Sequence, residues 1–351
     1  MDGLVPRISG VGTGVPPSSY TQEEVLERIE VPDERIRSVF LNSGIARRHL
    51  VLPGAGPDGW IEETQKDLLA KHSAYGLDIG RTAIEAALKR ANAGLDDVGY
   101  LCCVSSTGFM TPGFSALLIK ELGMRRDCAR VDVVGMGCNA GLNALNAVAG
   151  WVSAHPGELA LMVCIEVCSA AYAFDGTMRT SVVNSLFGDG AAALALTARR
   201  DGSGPGPAIE NFASWIVPDA VDAMRYDWDD EKGRFSFYLD RDVPYVVGAN
   251  VEEPLARLLE GKGLRPSDIA HWIIHSGGKK VIDSVRVNLG LTRHDVRHTT
   301  GVLRDYGNLS SGSFLFSYER LLDERVAAAG DYGVMMTMGP GSTVELALIH
   351  W

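Results

Sequence analysis

The sequence predicts an α/β protein built from two similar halves, and two observations carry that expectation. The first is a strand–turn–helix unit, VDVVGMGCNAGLNALNAVAGWV. Its β-branched run, residues 131–134, reads as a buried strand and Gly-Met-Gly as a turn. Leu142, Leu145, Val148 and Val152 then keep helical spacing. The second observation is that the plan recurs. Residues 94–105 and 263–275 each follow an amphipathic helix (82–91 and 253–260), pass through a short acidic turn and enter an apolar strand. Asp97 and Asp268 are 171 residues apart, and Cys138 and Asn308 are 170 apart. After the helix beyond each of the latter pair comes a strand that starts on glycine, at 157 and at 333. Landmarks at one offset, near half the chain length, indicate a duplication. The halves are expected at 1–200, carrying Cys138, and 201–351, carrying His275 and Asn308, with the Gly/Pro-rich stretch 201–207 between them.

Composition narrows the function. The chain has 351 residues and is 46% hydrophobic, enough for a large core. A net charge of -11 argues against nucleic acid or an anionic membrane as partner. The six cysteines (102, 103, 128, 138, 164, 168) form no CxxC pair. A zinc ribbon or disulfide framework is therefore not expected, and a reducing cytoplasm is the simplest compartment. The N-terminus lacks the basic start and apolar run of a signal peptide. The charge-free stretch 133–157 carries Asn139, Asn143, Asn146 and His155 and ends at Pro156, which reads as a buried helix with its flanks and not a membrane span.

Cys138 is placed where a strand turns into the start of a helix. The unpaired amides and dipole there favour a thiolate, the nucleophilic form of cysteine, and a nearby His275 adds to the expectation of an acidic thiol. Pseudo-twofold packing of the halves sets Cys138 beside Asn308, with His275, at a strand end, as a third corner. These three side chains suffice for acyl transfer. The thiolate accepts an acyl group from a thioester, while a neutral imidazole and an amide donate to a carbonyl oxygen as it gains charge. Decarboxylation of a malonyl thioester needs that support, and needs no metal or redox cofactor. Each residue also has a plainer role: small core thiol, buried histidine bonded to backbone, or helix cap. Ser310 and Ser311 offer better caps than Asn308.

Other motifs carry less. GVGTGV and GMGCNAG lack the full spacing and following acid of a dinucleotide loop. Arg35, Arg37, Arg47 and Arg48 form a basic patch that suits either solvent or the phosphates of coenzyme A.

With these residues in view, the chain resembles the thiolase-like condensing enzymes over nearly its whole length and, within them, the type III polyketide synthases. The marks are GMGCNAG, LFGDGAAAL, HSGG, LRDYGNLSSG and MGPGSTVE. The resemblance implies a five-layered αβαβα fold of two duplicated halves and a homodimer. It makes Cys138 the acyl-bearing nucleophile and gives His275 and Asn308 the decarboxylation and carbonyl polarisation. It makes Phe187 and Phe237 gatekeepers between a coenzyme A tunnel and the cavity, and Gly339 and Gly341 part of a glycine-rich wall. Ser106, Thr107, Cys168, Ala171 and Ser310 fall at pocket positions, and Arg35, Lys279 and Lys280 at places able to meet coenzyme A. The sequence departs from the plant pattern at Ser276 in HSGGKK, at Thr111 and at Asn42. Further runs, among them TGFMTPGFSALLIKELG and RHTTGVLRDYGNLSSGSFLFSYERL, resemble a bacterial branch that uses malonyl-CoA as starter and extender. That branch implies four units, an eight-carbon chain closing to an aromatic ring, and enoyl-CoA hydratase-like partner proteins. Another acyl starter giving a pyrone or resorcinol, a Cys-His-Asn thioester hydrolase, and a silent partner subunit are the alternatives. A carboxylate on the starter has Arg179 or the backbone near Gly339 as candidate partners.

Overall fold

The computed structural model describes residues 4–56, 59–200 and 203–351. Residues 201 and 202, at the expected boundary between halves, lie outside the described residues. The strands that position the site are β1 (Pro6–Gly14), β2 (Val98–Ser105), β3 (Ala129–Val134), β4 (Leu159–Glu166), β5 (Gly190–Ala198), β6 (Ala208–Ile216), β7 (Met224–Asp229), β8 (Arg234–Leu239), β9 (Ile269–Ile274), β10 (Tyr332–Gly339) and β11 (Thr343–His350). The main helices are α1 (Glu34–Leu41), α2 (Gln65–Ala91), α3 (Ala140–Ala154), α4 (Met178–Leu186), α5 (Glu252–Leu259), α6 (Lys279–Asn288), α7 (Arg297–Tyr306) and α8 (Ser313–Glu324).

Nine strands form one hydrogen-bonded array in the order β9-β10-β11-β6-β1-β5-β4-β2-β3. Outward from its middle, β1-β5-β4-β2 repeats as β6-β11-β10-β9. In both runs the first two pairings are antiparallel and the third is parallel. The runs are joined in the sheet through the pair Arg7–Ala208. Helices α3 and α8 each touch strands of both runs, while α2 covers β1, β5 and β4 and α5 covers β6 and β11. The result is the five-layered thiolase-like fold. Leu145 and Val148 of α3 and Phe314 and Tyr318 of α8 fill the central layer, meeting Leu194, Met335 and Ala347 from the sheets. Each such side chain taken from water contributes about 1.5–3 kcal/mol.

Two expectations change. The helix expected over 82–91 is the end of a longer one, Gln65–Ala91, opened by the Thr64/Asp67 capping box. The strand holding residues 131–134 is not buried. It is the outermost strand, and Val134 is 47% exposed. Its β-branched run was a sound signal for a strand, but the burial of an edge depends on what covers it.

Candidate active site

Cys138 lies in a single helical turn, Gly137–Asn139, between β3 and α3. Gly137 has φ +74°, and a Cβ there would lie 2.3 Å from the Pro340 ring. Glycine thus lets the Gly339–Gly341 loop close against the cysteine turn. The Gly137 N–H donates to Ser106 Oγ (2.8 Å), and the Asn139 amide donates to Thr343 Oγ1. Ser310 Oγ, 3.7 Å from Cys138 Sγ, donates to the sulfur.

Asn308 follows α7. Its backbone pairs with the residues around Phe187: Asn308 N–H donates to Leu186 O and Gly188 N–H to Asn308 O, each at 2.9 Å. Its Oδ1 accepts from Ser310 N–H (2.8 Å), which leaves the –NH2 as the donor end of the amide. The two serines expected as caps do other work. Ser310 reaches Cys138, and Ser311 Oγ donates to Glu166 Oε1 (2.5 Å). His275 is buried at the end of β9. Its N–H donates to Met336 O (2.8 Å), and its Nδ1 is hydrogen-bonded to Ser313 Oγ.

A cavity of about 540 Å³ opens at Cys138, and Ser106, Thr107, Cys168, Ala171, Phe187, Phe237 and Ser310 line it with the thiol. Phe187 and Phe237 meet edge to face, ring centres 5.8 Å apart. The hydroxyls of Ser106 and Thr107 are engaged by backbone, Thr107 Oγ1 accepting from Val167 N–H (3.0 Å). His275 and Asn308 are not among its lining residues, but Asn308 is joined to Cys138 through Ser310, which is.

The residues expected to meet coenzyme A lie outside this cavity's lining. Arg35, Lys279 and Lys280 are exposed, and the Lys279 chain runs beside Gly44. Arg48 is no surface cation: it is fully buried and donates to Tyr172 Oη (2.8 Å), Asn184 O (2.6 Å), Phe187 O (2.6 Å) and Gln22 Oε1 (2.6 Å). Arg179 is bound to Asp227 at 2.5 Å and lies outside the cavity lining. Gly339 is used for close packing, since a Cβ there would strike Asn139, and it is Pro340 that reaches the cavity.

The electrostatics correct the expectation of an acidic thiol. Burial pushes the Cys138 thiol up to about 12, against a smaller downward pull from the Ser310 hydrogen bond. Burial also pushes His275 down to about 3, so its ring is neutral. Burial thus favours the neutral form of each group. One further group escaped the sequence reading. Glu166, fully buried beside the site, is raised to about 7 by burial; its one signal was a lone acid ending an uncharged strand. The β7–β8 hairpin, whose Phe237 was expected at the cavity, also supplies Met224, Tyr226 and Phe235 to its wall. Among the described residues no cluster of acidic, histidine or cysteine side chains is arranged to hold a metal ion, and no helix is long and apolar enough to cross a membrane.

Residues 24–261 match the family model for FAE1/type III polyketide synthase-like proteins, and residues 211–351 that for the C-terminal domain of chalcone and stilbene synthases. The chain belongs to the type III polyketide synthases. It is 66% identical to a 3,5-dihydroxyphenylacetyl-CoA synthase of Amycolatopsis balhimycina, over 99% of this chain and 93% of that one. Among solved structures, it superposes on PKS-I from the brown alga Ectocarpus siliculosus with TM-score 0.90 at 27% identity, covering 100% of this chain and 99% of the other. It superposes on the 1,3,6,8-tetrahydroxynaphthalene synthase of Streptomyces coelicolor with TM-score 0.89 at 29% identity, covering 98% and 99%.

Proposed function

We propose that this synthase makes 3,5-dihydroxyphenylacetyl-CoA from malonyl-CoA alone. The supporting observation is the 66% identity to an enzyme of that name, held over nearly the full length of both chains. In this reading Cys138 Sγ, once deprotonated, attacks the thioester carbonyl of the starter and expels coenzyme A thiolate. A second malonyl-CoA then loses carbon dioxide. The N–H groups of His275 and Asn308 hold the enolate oxygen, and the enolate carbon attacks the acyl-enzyme and releases Cys138. Neutral His275 suits a donor in that step, because an imidazolium would have to be formed inside an apolar wall. No cofactor enters these steps.

Carbon counting adds a constraint. Four malonyl units hold twelve carbons and the product acyl group holds eight, so four carbon dioxide molecules must leave. Three condensations account for three of them. The fourth comes from the starter, whose carboxylate has no cationic partner among the residues expected to provide one. Wild-type enzyme given only malonyl-CoA should yield the eight-carbon aromatic thioester or its acid by mass spectrometry. Malonate or acetate as sole product would instead indicate a hydrolase, and a pyrone or resorcinol made only with another acyl-CoA would indicate a different starter. The homodimer usual in the family suits the edge strand β3, where Val134 and Met136 are 47% and 38% exposed beside Phe109 at 71%. Light scattering of the purified chain tests it. A cytoplasmic setting, with enoyl-CoA hydratase-like proteins speeding aromatisation, completes the reading.

A further inference from the structure

Ser313 opens α8 but does not cap it: the N-cap position belongs to Gly312, which has no side chain to offer. The Ser313 hydroxyl is fully buried and instead meets His275 Nδ1. It also accepts from Ser276 N–H (3.3 Å). A serine hydroxyl has one proton and two lone pairs. Ser276 occupies one lone pair, and among the described residues only Nδ1 is placed to accept the proton. The reverse bond, from an Nδ1–H to Oγ, strands a buried hydroxyl proton. A neutral ring whose Nδ1 accepts must carry its proton on Nε2. Nε2 has no partner among the described residues. Gly277 keeps the space beside it open, since a Cβ there would sit 3.2 Å from Nε2. Ser276 Oγ donates to Gly307 O (3.2 Å), tying this loop to the residue before Asn308.

We propose that Ser313 is a positioning residue that fixes the tautomer of His275, making Nε2–H the donor to the enolate oxygen. This rests on the decarboxylation role given to His275 above. The full-length enzyme labelled with ¹⁵N-histidine tests it, the His275 signals being identified by their loss in His275→Gln. The wild type should show an acceptor-type Nδ1 and a protonated Nε2, and Ser313→Ala a mixture of tautomers. Carbon dioxide release from malonyl-CoA should fall roughly 10- to 100-fold in Ser313→Ala, the scale of losing a partner that orients a functional histidine. Acetyl loading of Cys138 from acetyl-CoA should stay near wild type, and Ser313→Thr, which keeps the hydroxyl, should restore release. An Nδ1–H tautomer in the wild type overturns the proposal without any variant. So does wild-type carbon dioxide release in Ser313→Ala while His275→Ala is inactive. Wild-type release in His275→Ala overturns the underlying site reading instead.

Discussion

The Cys138 turn and the Asn308 turn occupy equivalent places in the two repeats of the fold, yet they meet the substrate space differently. Each leads through one tight helical turn, Gly137–Asn139 or Ser310–Gly312, into a central helix. Each holds a residue with positive φ, Gly137 at +74° and Ser310 at +48°. Glycine adopts that conformation freely and serine does so at a cost. Here the serine returns two contacts, one to Asn308 Oδ1 and one to Cys138 Sγ. The first turn lines the cavity with its thiol, and the second lines it with Ser310. One duplicated corner thus holds the nucleophile and the other holds the donors, with Ser310 as the link.

The largest break in this comparison is Cys138→Ala. It should abolish the acyl-enzyme, seen by intact-protein mass spectrometry, and all aromatic product, while malonyl-CoA still loses carbon dioxide. Aromatic product from that variant would overturn the division of labour. Next comes Arg48, the support shared by the Phe187 and Asn308 segments. Arg48→Met strands the Asn184 carbonyl and the Gln22 amide oxygen in the interior and leaves Phe187 O with the Tyr172 hydroxyl alone. We expect a loss of roughly 3–5 kcal/mol in denaturant unfolding, the scale for breaking a buried charged network. A loss below about 1 kcal/mol would mean that the neighbours repack. Asn308→Ala should cost roughly 100- to 1000-fold in carbon dioxide release, as removal of one oxyanion donor does, with acetyl loading of Cys138 kept. Equal loss of both activities would show that the two turns act as one unit.

The repeat explains what could be read before any coordinates. Strand and helix periodicities are local, so β2, α3 and β9 were legible. The offset between Cys138 and Asn308 placed two corners of the site together without a fold template. Motif resemblance then supplied Phe187, Phe237 and the small pocket residues, all of which line the cavity. What stayed hidden depends on long-range burial. Arg48 reads as a surface charge beside Arg47, and only the packing of α4 and the Gly188 turn encloses it. The acidic thiol failed for the same reason: helix position is local and argues for a thiolate, while desolvation is set by the surrounding fold and here outweighs it.

The smallest effect tests that balance at Cys138 itself. A thiol near 12 leaves roughly one molecule in 10,000 as thiolate at pH 8. Only the thiolate attacks iodoacetamide. The fraction deprotonated rises tenfold per pH unit below the pKa, so the rate of Cys138 alkylation in the resting enzyme should climb about tenfold with each unit from pH 7 to pH 10. Cys138 should still be modified before Cys102, Cys103 and Cys164, because of the six cysteines only it and Cys168 border the cavity, and burial pushes Cys168 well above the ordinary thiol value too; Cys128, outside the cavity, is as exposed as Cys138 and is the thiol to count beside it. Ser310 donates to the sulfur and lowers its pKa, so Ser310→Ala should slow alkylation by up to about tenfold, the worth of one ordinary hydrogen bond. The slope with pH should not change. A rate already flat at pH 7, or faster alkylation in Ser310→Ala, would mean that the helix start and His275 do hold a thiolate in the resting enzyme. The two corners would then be coupled by charge as well as by the serine between them.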